Sequence, residues 1–200
     1  MVKKIIITGG LGYIGTELCK IYSGVSWHHK IIVIDNRFIS ERVNQIRNWN
    51  MEFIHGDILD KDIVNKYFKD ADIVHHLAGV TQVPRTKSES NADMDEKIKL
   101  VGEKGTQNIL DAISKKCKII FPSTHVVYEG IDKVKNDIKE DEESKPVLSY
   151  SLSKAINEKQ LKESGKNYVI LRLGSVYGYS TDTARIDIMP DLFSKIASQN

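Results

Sequence analysis

Six short runs of β-branched and other apolar residues recur along the chain, separated by longer stretches with helical character. Runs that are apolar throughout, rather than alternating, are typical of parallel strands covered on both faces. The pattern therefore predicts an α/β fold with a doubly wound parallel sheet. The strands are expected at 3–8, 30–35, 51–55, 72–77, 117–122 and 168–173, and the helices near 13–23, 40–49, 60–69, 94–116 and 150–164.

Two polar residues are predicted to begin helices, and one segment is predicted to be a loop. Ser40 and Asp60 each precede a helical stretch and have side chains that commonly cap helix N-termini. Residues 129–146 are highly charged and have no clear period, so we expect a surface loop there.

Composition limits the classes of partner. The 29 basic and 27 acidic residues are spread along the chain, so no basic stripe favours nucleic acid. The apolar run at the N-terminus is too short for a signal peptide or a membrane span. Cys19 and Cys117 lie far apart and lack CxxC spacing. We therefore expect a reduced, cytoplasmic protein with neither a nucleic-acid nor a membrane partner.

The first predicted strand leads directly into the sequence TGGLGYIG at 8–15. Gly10, Gly12 and Gly15 match G-x-G-x-x-G, Gly9 with the last two matches a more widely spaced variant, and a helix follows at once. Glycines permit a tight turn and close approach of the backbone to a pyrophosphate, and a helix N-terminus supplies N–H donors. The motif predicts a dinucleotide site, the alternative being glycines that only form a turn.

The second predicted strand ends at Asp35, twenty residues after Gly15. A carboxylate at this place can accept hydrogen bonds from both ribose hydroxyls of an adenosine, and it would repel a 2′-phosphate. NAD is therefore expected rather than NADP. Arg37, two residues further on, keeps NADP open as the alternative.

Together with five further motifs in order, these features resemble the extended short-chain dehydrogenases/reductases, and within them the NAD-dependent nucleotide-sugar epimerases and dehydratases. The resemblance covers nearly the whole chain. It implies a Rossmann fold over residues 1–178, with 179–200 beginning a C-terminal substrate lobe that is otherwise largely absent. The matching motifs are TGGLGYIG at 8–15, VID at 33–35, GDI at 56–58, HLAG at 76–79, PSTHVVY at 122–128, YSLSK at 150–154 and LRLGSVYG at 171–178.

The resemblance implies that Tyr150 is the catalytic acid/base, Lys154 its partner, and Thr124 the hydroxyl that holds the reacting sugar oxygen. A tyrosine with a pKa of about 10 is a poor base at neutral pH, but a nearby ammonium and a positive nicotinamide favour the tyrosinate. The alternative for Tyr150 and Lys154 is an ordinary solvated helix turn. For Thr124 it is a strand-end residue satisfied by the backbone.

The resemblance also assigns a set of residues to NAD, whereas no metal is expected. The six histidines include adjacent pairs, but none has ligand spacing with a third donor. The cofactor set comprises Gly9, Gly12, Tyr13, Ile14 and Gly15 in the glycine loop, Asp35 and Asn36 after the second strand, Asp57 and Ile58 at the adenine, Leu77, Ala78 and Gly79 at the wall of the site, Tyr150 and Lys154 at the nicotinamide ribose, and Ser175 and Val176 near the nicotinamide.

Two positions bear on the reaction. Gly102 stands where the family commonly has an asparagine, so a buried hydrogen bond that steadies the central sheet is in doubt. Dehydratases of the family follow the catalytic threonine with an acidic pair, and decarboxylases often have a glutamate beside it, whereas Thr124 is followed by His125 and Val126. We therefore expect an NAD-dependent nucleotide-sugar epimerase. The alternatives are a dehydrogenase, reductase or dehydratase of the same family, and a non-catalytic NAD-binding module.

The resemblance also implies partners. The substrate is expected to be a nucleotide-sugar. The stretches 94–116 and 150–164 have a suitable length to form a four-helix bundle with a second copy, so a homodimer is expected. The alternative is that their apolar positions face only the sheet.

Overall fold

The computed structural model describes residues 1–80, 86–180 and 189–199, and within them six strands form one sheet. All neighbouring strands are parallel, in the order β3-β2-β1-β4-β5-β6. The predicted doubly wound parallel sheet is confirmed, and each strand lies within two residues of its predicted bounds. The strands are β1 Lys4–Thr8, β2 Lys30–Asp35, β3 Glu52–His55, β4 Ile73–His76, β5 Lys118–Thr124 and β6 Asn167–Leu173.

The predicted helices are also present, with one interruption. The stretch expected as a single helix over 94–116 contains a wider π-helical turn at Leu100–Lys104 and ends at Ala112. The helices of the described residues are α1 Tyr13–Ser23, α2 Ser40–Asn48, α3 Lys61–Phe68, α4 Ala92–Lys99, α5 Gly105–Ala112, α6 Ser149–Glu163 and α7 Met189–Ser198.

The sheet separates two apolar cores, which explains why the strands are apolar throughout. Ile5 and Ile7 point to one face, where α1 and α2 pack, while Ile6 points to the opposite face, where α3, α5 and α6 pack. All three isoleucines are almost completely buried. Because successive side chains of a strand point to opposite faces, burial on both sides requires an uninterrupted apolar run.

The two predicted helix starts differ in outcome. The carboxylate of Asp60 accepts hydrogen bonds from the backbone nitrogens of Asp62 at 2.9 Å and Ile63 at 3.2 Å, so its predicted role as the cap of α3 is confirmed. The prediction that a helix starts at Ser40 is confirmed, since α2 begins there, but the N-cap position is Ile39 and Ser40 lies in the first turn.

The carboxyl ends of the parallel strands share one edge of the sheet. The chain order reverses between β1 and β4, which are neighbours in the sheet although two strands separate them in sequence. Open α/β sheets bind ligands in the crevice outside the carboxyl ends at such a reversal. The glycine loop follows β1 and the HLAG motif begins at the end of β4, so both predicted motifs lie at this crevice.

The predicted loop over 129–146 contains neither helix nor strand and connects the end of β5 to α6. No helix among the described residues is long and apolar enough to cross a membrane.

Candidate active site

The glycine loop has a backbone that other residues would not permit. Gly9 has a φ of +66°, and a Cβ there would lie 2.8 Å from the backbone nitrogen of Ala78. A Cβ on Gly15 would lie 2.3 Å from the carbonyl oxygen of Gly9. The N-cap of α1 is Gly12, which has no side chain, so the helix N-terminus faces the loop without a capping side chain. This is the geometry of an anion site at a helix N-terminus.

The carboxylate of Asp35 lies beside this loop and is nearly buried. One of its oxygens accepts a hydrogen bond from the Leu11 backbone at 2.9 Å, and the other accepts from the Arg37 backbone at 2.9 Å. Arg37 also forms an ion pair with it, Nε to Oδ1 at 3.4 Å. Carboxylate oxygens have two acceptor sites each, so capacity for ribose hydroxyls remains. The structure thus places Arg37 against Asp35, whereas the sequence had shown only that Arg37 is near enough to keep NADP open as the alternative.

Asn36 and Asp57 are joined at the ends of β2 and β3. The Asn36 side-chain nitrogen donates to one oxygen of Asp57 at 3.0 Å, and the backbone nitrogen of Leu59 donates to the other at 2.9 Å. Ile58 is 4% exposed, and its side chain packs in the core against α5 at Gly105. For Ile58, the backbone is therefore the part available at the predicted adenine site.

The wall of the site follows β4. Leu77 packs against the core on the α1 side, and the backbone nitrogen of Ala78 donates to the hydroxyl of Thr8 at 3.0 Å. Gly79 is exposed. The structure therefore brings the three predicted wall residues to the same edge of the sheet as the glycine loop.

Sequence reasoning missed the polar network behind this wall. His76 is buried, with Nδ1 lying 3.1 Å from the Thr8 hydroxyl and Nε2 lying 3.0 Å from the Thr106 hydroxyl. A hydroxyl can donate or accept, so Thr8 and Thr106 can satisfy both ring nitrogens of the neutral imidazole, one of which donates while the other accepts. Burial, assisted by the Lys154 charge, lowers the pKa of His76 to about 3. A neutral imidazole therefore links β1, β4 and α5.

Tyr150 and Lys154 lie one turn apart at the start of α6. The Lys154 ammonium donates to the carbonyl oxygen of Pro122 at 2.8 Å and lies 4.4 Å from the ring centroid of Phe121 and 5.8 Å from that of Tyr150. Burial of the ammonium lowers the pKa of Lys154 to about 8, although the Glu158 carboxylate acts in the opposite direction. The pair therefore does not form an ordinary solvated helix turn, because the lysine is held against β5.

Thr124 is the last residue of β5 and is 8% exposed. Its hydroxyl accepts a hydrogen bond from the backbone nitrogen of Val126 at 3.3 Å and so begins a short 3₁₀ turn over His125–Tyr128. Pro122, which holds Lys154, lies two residues earlier on the same strand. The three predicted catalytic residues are thus positioned by β5 and α6.

A second network missed from the sequence lies one turn beyond Lys154. The buried carboxylate of Glu158 accepts from Ser123 Oγ at 2.6 Å and from Arg172 Nε at 2.9 Å, and its other oxygen accepts from Arg172 Nη2 at 2.7 Å. The bidentate ion pair joins α6 to β6, and the Ser123 hydrogen bond joins α6 to β5. The available signal was spacing, since Glu158 follows Lys154 by four residues and so shares its face of the helix.

Gly102 lies within the π-helical turn and directly faces α6. A Cβ at Gly102 would lie 2.2 Å from Ser153 Oγ, and its carbonyl oxygen accepts from Asn157 Nδ2 at 3.1 Å. The carbonyl of Glu103 accepts from Gln160 Nε2 at 3.1 Å. Gly102 takes the place of the asparagine that is common in the family. Side chains of α6 hydrogen-bond the widened turn at this place.

Ser175 and Val176 follow β6 and are exposed at the carboxyl edge of the sheet. Further on, the segment returns to the glycine loop, because Ser180 Oγ donates to the carbonyl oxygen of Tyr13 at 2.8 Å. The Tyr13 hydroxyl donates to the Gly178 carbonyl and also lies 3.3 Å from Asp191 Oδ2. Tyr13 therefore links the loop to the first turn of α7.

The metal prediction concerned histidines. Among the described residues, no group of three or more histidine, cysteine, aspartate or glutamate side chains is arranged to hold a metal ion.

Comparison with known proteins identifies the family. The model of the NAD-dependent epimerase/dehydratase family matches residues 5–200. The chain belongs to this family. The resemblance inferred from the motifs is therefore confirmed.

Relatives of known activity include different reactions. The chain is 30% identical to dTDP-D-glucose 4,6-dehydratase of Dictyostelium discoideum over 88% of this chain and 44% of that protein. It is 36% identical to CDP-paratose 2-epimerase of Salmonella typhi over 66% of this chain and 40% of that protein. The chain thus spans about half the length of the curated relatives that it matches.

Solved structures agree on the fold. UDP-N-acetylglucosamine 4-epimerase of Methanobrevibacter ruminantium, in complex with UDP-N-acetylmuramic acid, superposes with a TM-score of 0.78 at 27% identity over 100% of this chain and 64% of that chain. UDP-glucuronic acid 4-epimerase of Bacillus cereus, in complex with UDP-glucuronic acid and NAD, gives a TM-score of 0.77 at 27% identity over 98% of this chain and 63% of that chain. The Rossmann assignment of the sheet is confirmed.

Proposed function

We propose that this protein is an NAD-dependent nucleotide-sugar epimerase. The observation that carries the proposal is the position of Lys154. Its ammonium donates to the carbonyl oxygen of Pro122, two residues before Thr124 on β5, and lies 5.8 Å from the ring centroid of Tyr150. These groups lie at the carboxyl edge of the sheet, the edge that also bears the glycine loop. We take residues 1–178 as the dinucleotide-binding unit and 179–200 as the start of a substrate lobe.

The residues present fit NAD. Gly9, Gly12 and Gly15 form a cradle that a Cβ would obstruct, at the N-terminus of α1, which suits a pyrophosphate. Asp35 lies beside this cradle and retains acceptor capacity for the ribose hydroxyls. The Asn36 and Asp57 pair, with the backbone at Ile58, flanks the region assigned to adenine. Residues 77–79 and 175–176 lie at the same edge of the sheet.

Residues of this chain would transfer a proton and stabilise the negative charge that forms. Tyr150 takes the proton from the sugar hydroxyl, and the Lys154 ammonium stabilises the tyrosinate that is needed for this step. Thr124 donates a hydrogen bond to the same sugar oxygen, on which charge develops. NAD, held by the glycine loop and Asp35, would supply the hydride acceptor and donor that epimerisation needs. Tyr150 would return the proton to the sugar oxygen.

The residues beside Thr124 favour epimerisation over elimination. His125 and Val126 occupy the positions where dehydratases of the family have an acidic pair. Neither side chain is a carboxyl group, so the acidic pair of the dehydratases is absent at these two positions. An epimerase regenerates its cofactor within each turnover, whereas a dehydrogenase or reductase does not.

The test uses Tyr150→Phe in the full-length protein with a panel of nucleotide-sugars. We expect turnover to be abolished while NAD still binds, because the glycine loop, Asp35 and Lys154 are retained and only the phenolic oxygen is removed. Retained turnover would exclude the role given to Tyr150. Net accumulation of NADH during wild-type turnover would instead indicate a dehydrogenase.

Cofactor choice is tested by calorimetric titration with NAD and then NADP. We expect saturable binding with NAD preferred, because Asp35 repels a 2′-phosphate. Equal affinity for both would mean that the Arg37 ion pair neutralises this repulsion. Binding of neither would favour a role other than the proposed enzyme.

A homodimer is also proposed, through the face formed by α4, the π-helical turn and α6. Leu100, Leu152 and Ile156 expose 45%, 43% and 39% of their surface on these elements. Exposed apolar residues grouped on adjacent helices are typical of an interface. Light scattering after chromatography should give twice the chain mass, and Leu152→Glu should give a monomer.

A further inference from the structure

The connection between β5 and α6 is closed at its neck. The backbone nitrogen of Gly130 donates to the carbonyl oxygen of Lys145 at 2.8 Å, and the nitrogen of Lys145 donates to the carbonyl oxygen of Val127 at 2.8 Å. The charged residues 131–144 extend beyond this neck. The two ends of the connection, one after Thr124 and one before Tyr150, are therefore held side by side.

Glu129 occupies the neck. Its Oε1 atom accepts hydrogen bonds from the backbone nitrogens of Val147 at 2.8 Å and Leu148 at 2.7 Å, and also from the hydroxyl of Ser151. Ser151 is completely buried in the first turn of α6. The carboxylate therefore satisfies donors at the beginning of a helix whose own N-cap residue, Leu148, has no polar side chain.

The charge of Glu129 is compatible with this arrangement. Burial acts to raise the pKa of the carboxyl, but the hydrogen bonds from Ser151, Leu148 and Val147 outweigh it and the pKa is lowered. Glu129 is thus anionic at neutral pH, with its charge at the N-terminus of α6. A negative charge is favourable there because it lies next to the positive end of the helix dipole.

We propose that Glu129 is a positioning residue that fixes the first turn of α6, and with it Tyr150, relative to Thr124. The proposal rests on the epimerase function proposed above. Thr124 and Tyr150 come from different elements joined by a long loop, so sequence continuity alone does not set the distance between them. Glu129, five residues after Thr124, contacts residues on both sides of Ser149 and Tyr150 and so sets that distance.

A second possible role must be distinguished by the test. Glu129 also lines a cavity of about 580 Å³ together with His125, Tyr128, Lys139 and Arg172. A residue that contacts the substrate in this cavity would alter KM, whereas a residue that positions Tyr150 alters kcat. The two roles therefore predict different kinetic effects.

The experiment compares Glu129→Ala and Glu129→Gln in the full-length protein, with Glu142→Gln as the matched control. Glu142 lies in the same loop and pairs with Lys135, another residue of that loop, at 2.6 Å. We expect Glu129→Ala to lower kcat about 10- to 100-fold, because a misplacement of about 1 Å costs up to that much. KM and NAD affinity should stay within about twofold of wild type. Glu129→Gln keeps an acceptor oxygen and should recover most of kcat, and Glu142→Gln should match wild type.

Other outcomes would overturn the proposal. They are a rise in KM with unchanged kcat for Glu129→Ala, or equal loss of kcat in the alanine and glutamine variants. If circular dichroism shows that Glu129→Ala does not fold, Ser151→Ala takes its place, since it removes one of the three donors. Ser151→Ala should lower kcat to a smaller extent. An unchanged kcat in that variant would overturn the proposal.

Failure of the epimerase proposal is separable. If the wild type turns over no nucleotide-sugar, hydrogen exchange still tests the positioning. Glu129→Ala should then accelerate exchange at 150–154 and leave 158–163 unchanged, and uniform protection along α6 would overturn the inference.

Discussion

The ammonium of Lys154 donates a hydrogen bond of 2.8 Å to the carbonyl oxygen of Pro122. This bond joins α6 to β5 two residues before Thr124, so one contact helps to set the positions of all three proposed catalytic side chains. The ammonium is buried at this contact, and burial lowers the pKa of Lys154 to about 8. The proton on Lys154 is therefore within reach of ordinary pH titrations.

Turnover should decline as the pH rises above about 8. In this range Lys154 loses its proton, and with it the positive charge that stabilises the Tyr150 oxyanion. The profile of kcat/KM against pH, which reports groups of the free enzyme, should show an alkaline limb near that value. Lys154→Met should lower turnover about 100-fold or more and remove this limb. An unchanged limb in the variant would assign it to another group.

His76 should make the protein less stable in acid. Its folded pKa of about 3 lies below the unfolded value of about 6.5, so between these values the unfolded state binds the extra proton. The stability is therefore present above pH 6.5 and is lost as the pH falls, by about 1.4 kcal/mol per pH unit. Urea unfolding at pH 7.5 and pH 5 should show this loss, and His76→Gln should reduce it by about 2 kcal/mol.

Replacing Glu158 should lower the free energy of unfolding, whereas replacing Glu163 on the same helix should not. Glu158→Gln leaves the Arg172 guanidinium with a weakened partner in a largely buried site and should cost about 3 kcal/mol of unfolding free energy. Glu163 pairs with Lys159 at 3.8 Å on the exposed side of α6, so Glu163→Gln should have no measurable effect. Equal losses in the two variants would contradict this difference.

The two predicted helix starts should respond differently to alanine. Asp60→Ala removes the cap from two backbone donors of α3 and should cost about 1 kcal/mol. Ser40 is not the N-cap of α2, so Ser40→Ala should leave the stability within about 0.5 kcal/mol of wild type. Chemical denaturation of both variants measures the difference.

Local sequence determined the elements and the motifs. Continuous apolar runs, such as 30–35, predicted the strands because burial on both faces leaves no position for a polar side chain. The glycine loop could be predicted from the sequence because a Cβ at Gly9 or Gly15 would collide with the backbone, so only glycine fits there. Asp35 could be predicted because it lies at the end of a predicted strand, at a fixed spacing from the loop. Asp60 was readable as a cap because its partners lie only two and three residues away.

Only the tertiary structure decided which side chains meet across elements. Glu129 contacts α6, Glu158 contacts Arg172, and His76 connects Thr8 with Thr106, yet none of these pairs has a fixed spacing in sequence. Their distances depend on strand order and on how each helix packs over the sheet. Local patterns, such as the apolar period and the glycine spacing, predict which elements form. A hydrogen bond between residues distant in sequence forms only after these elements have packed.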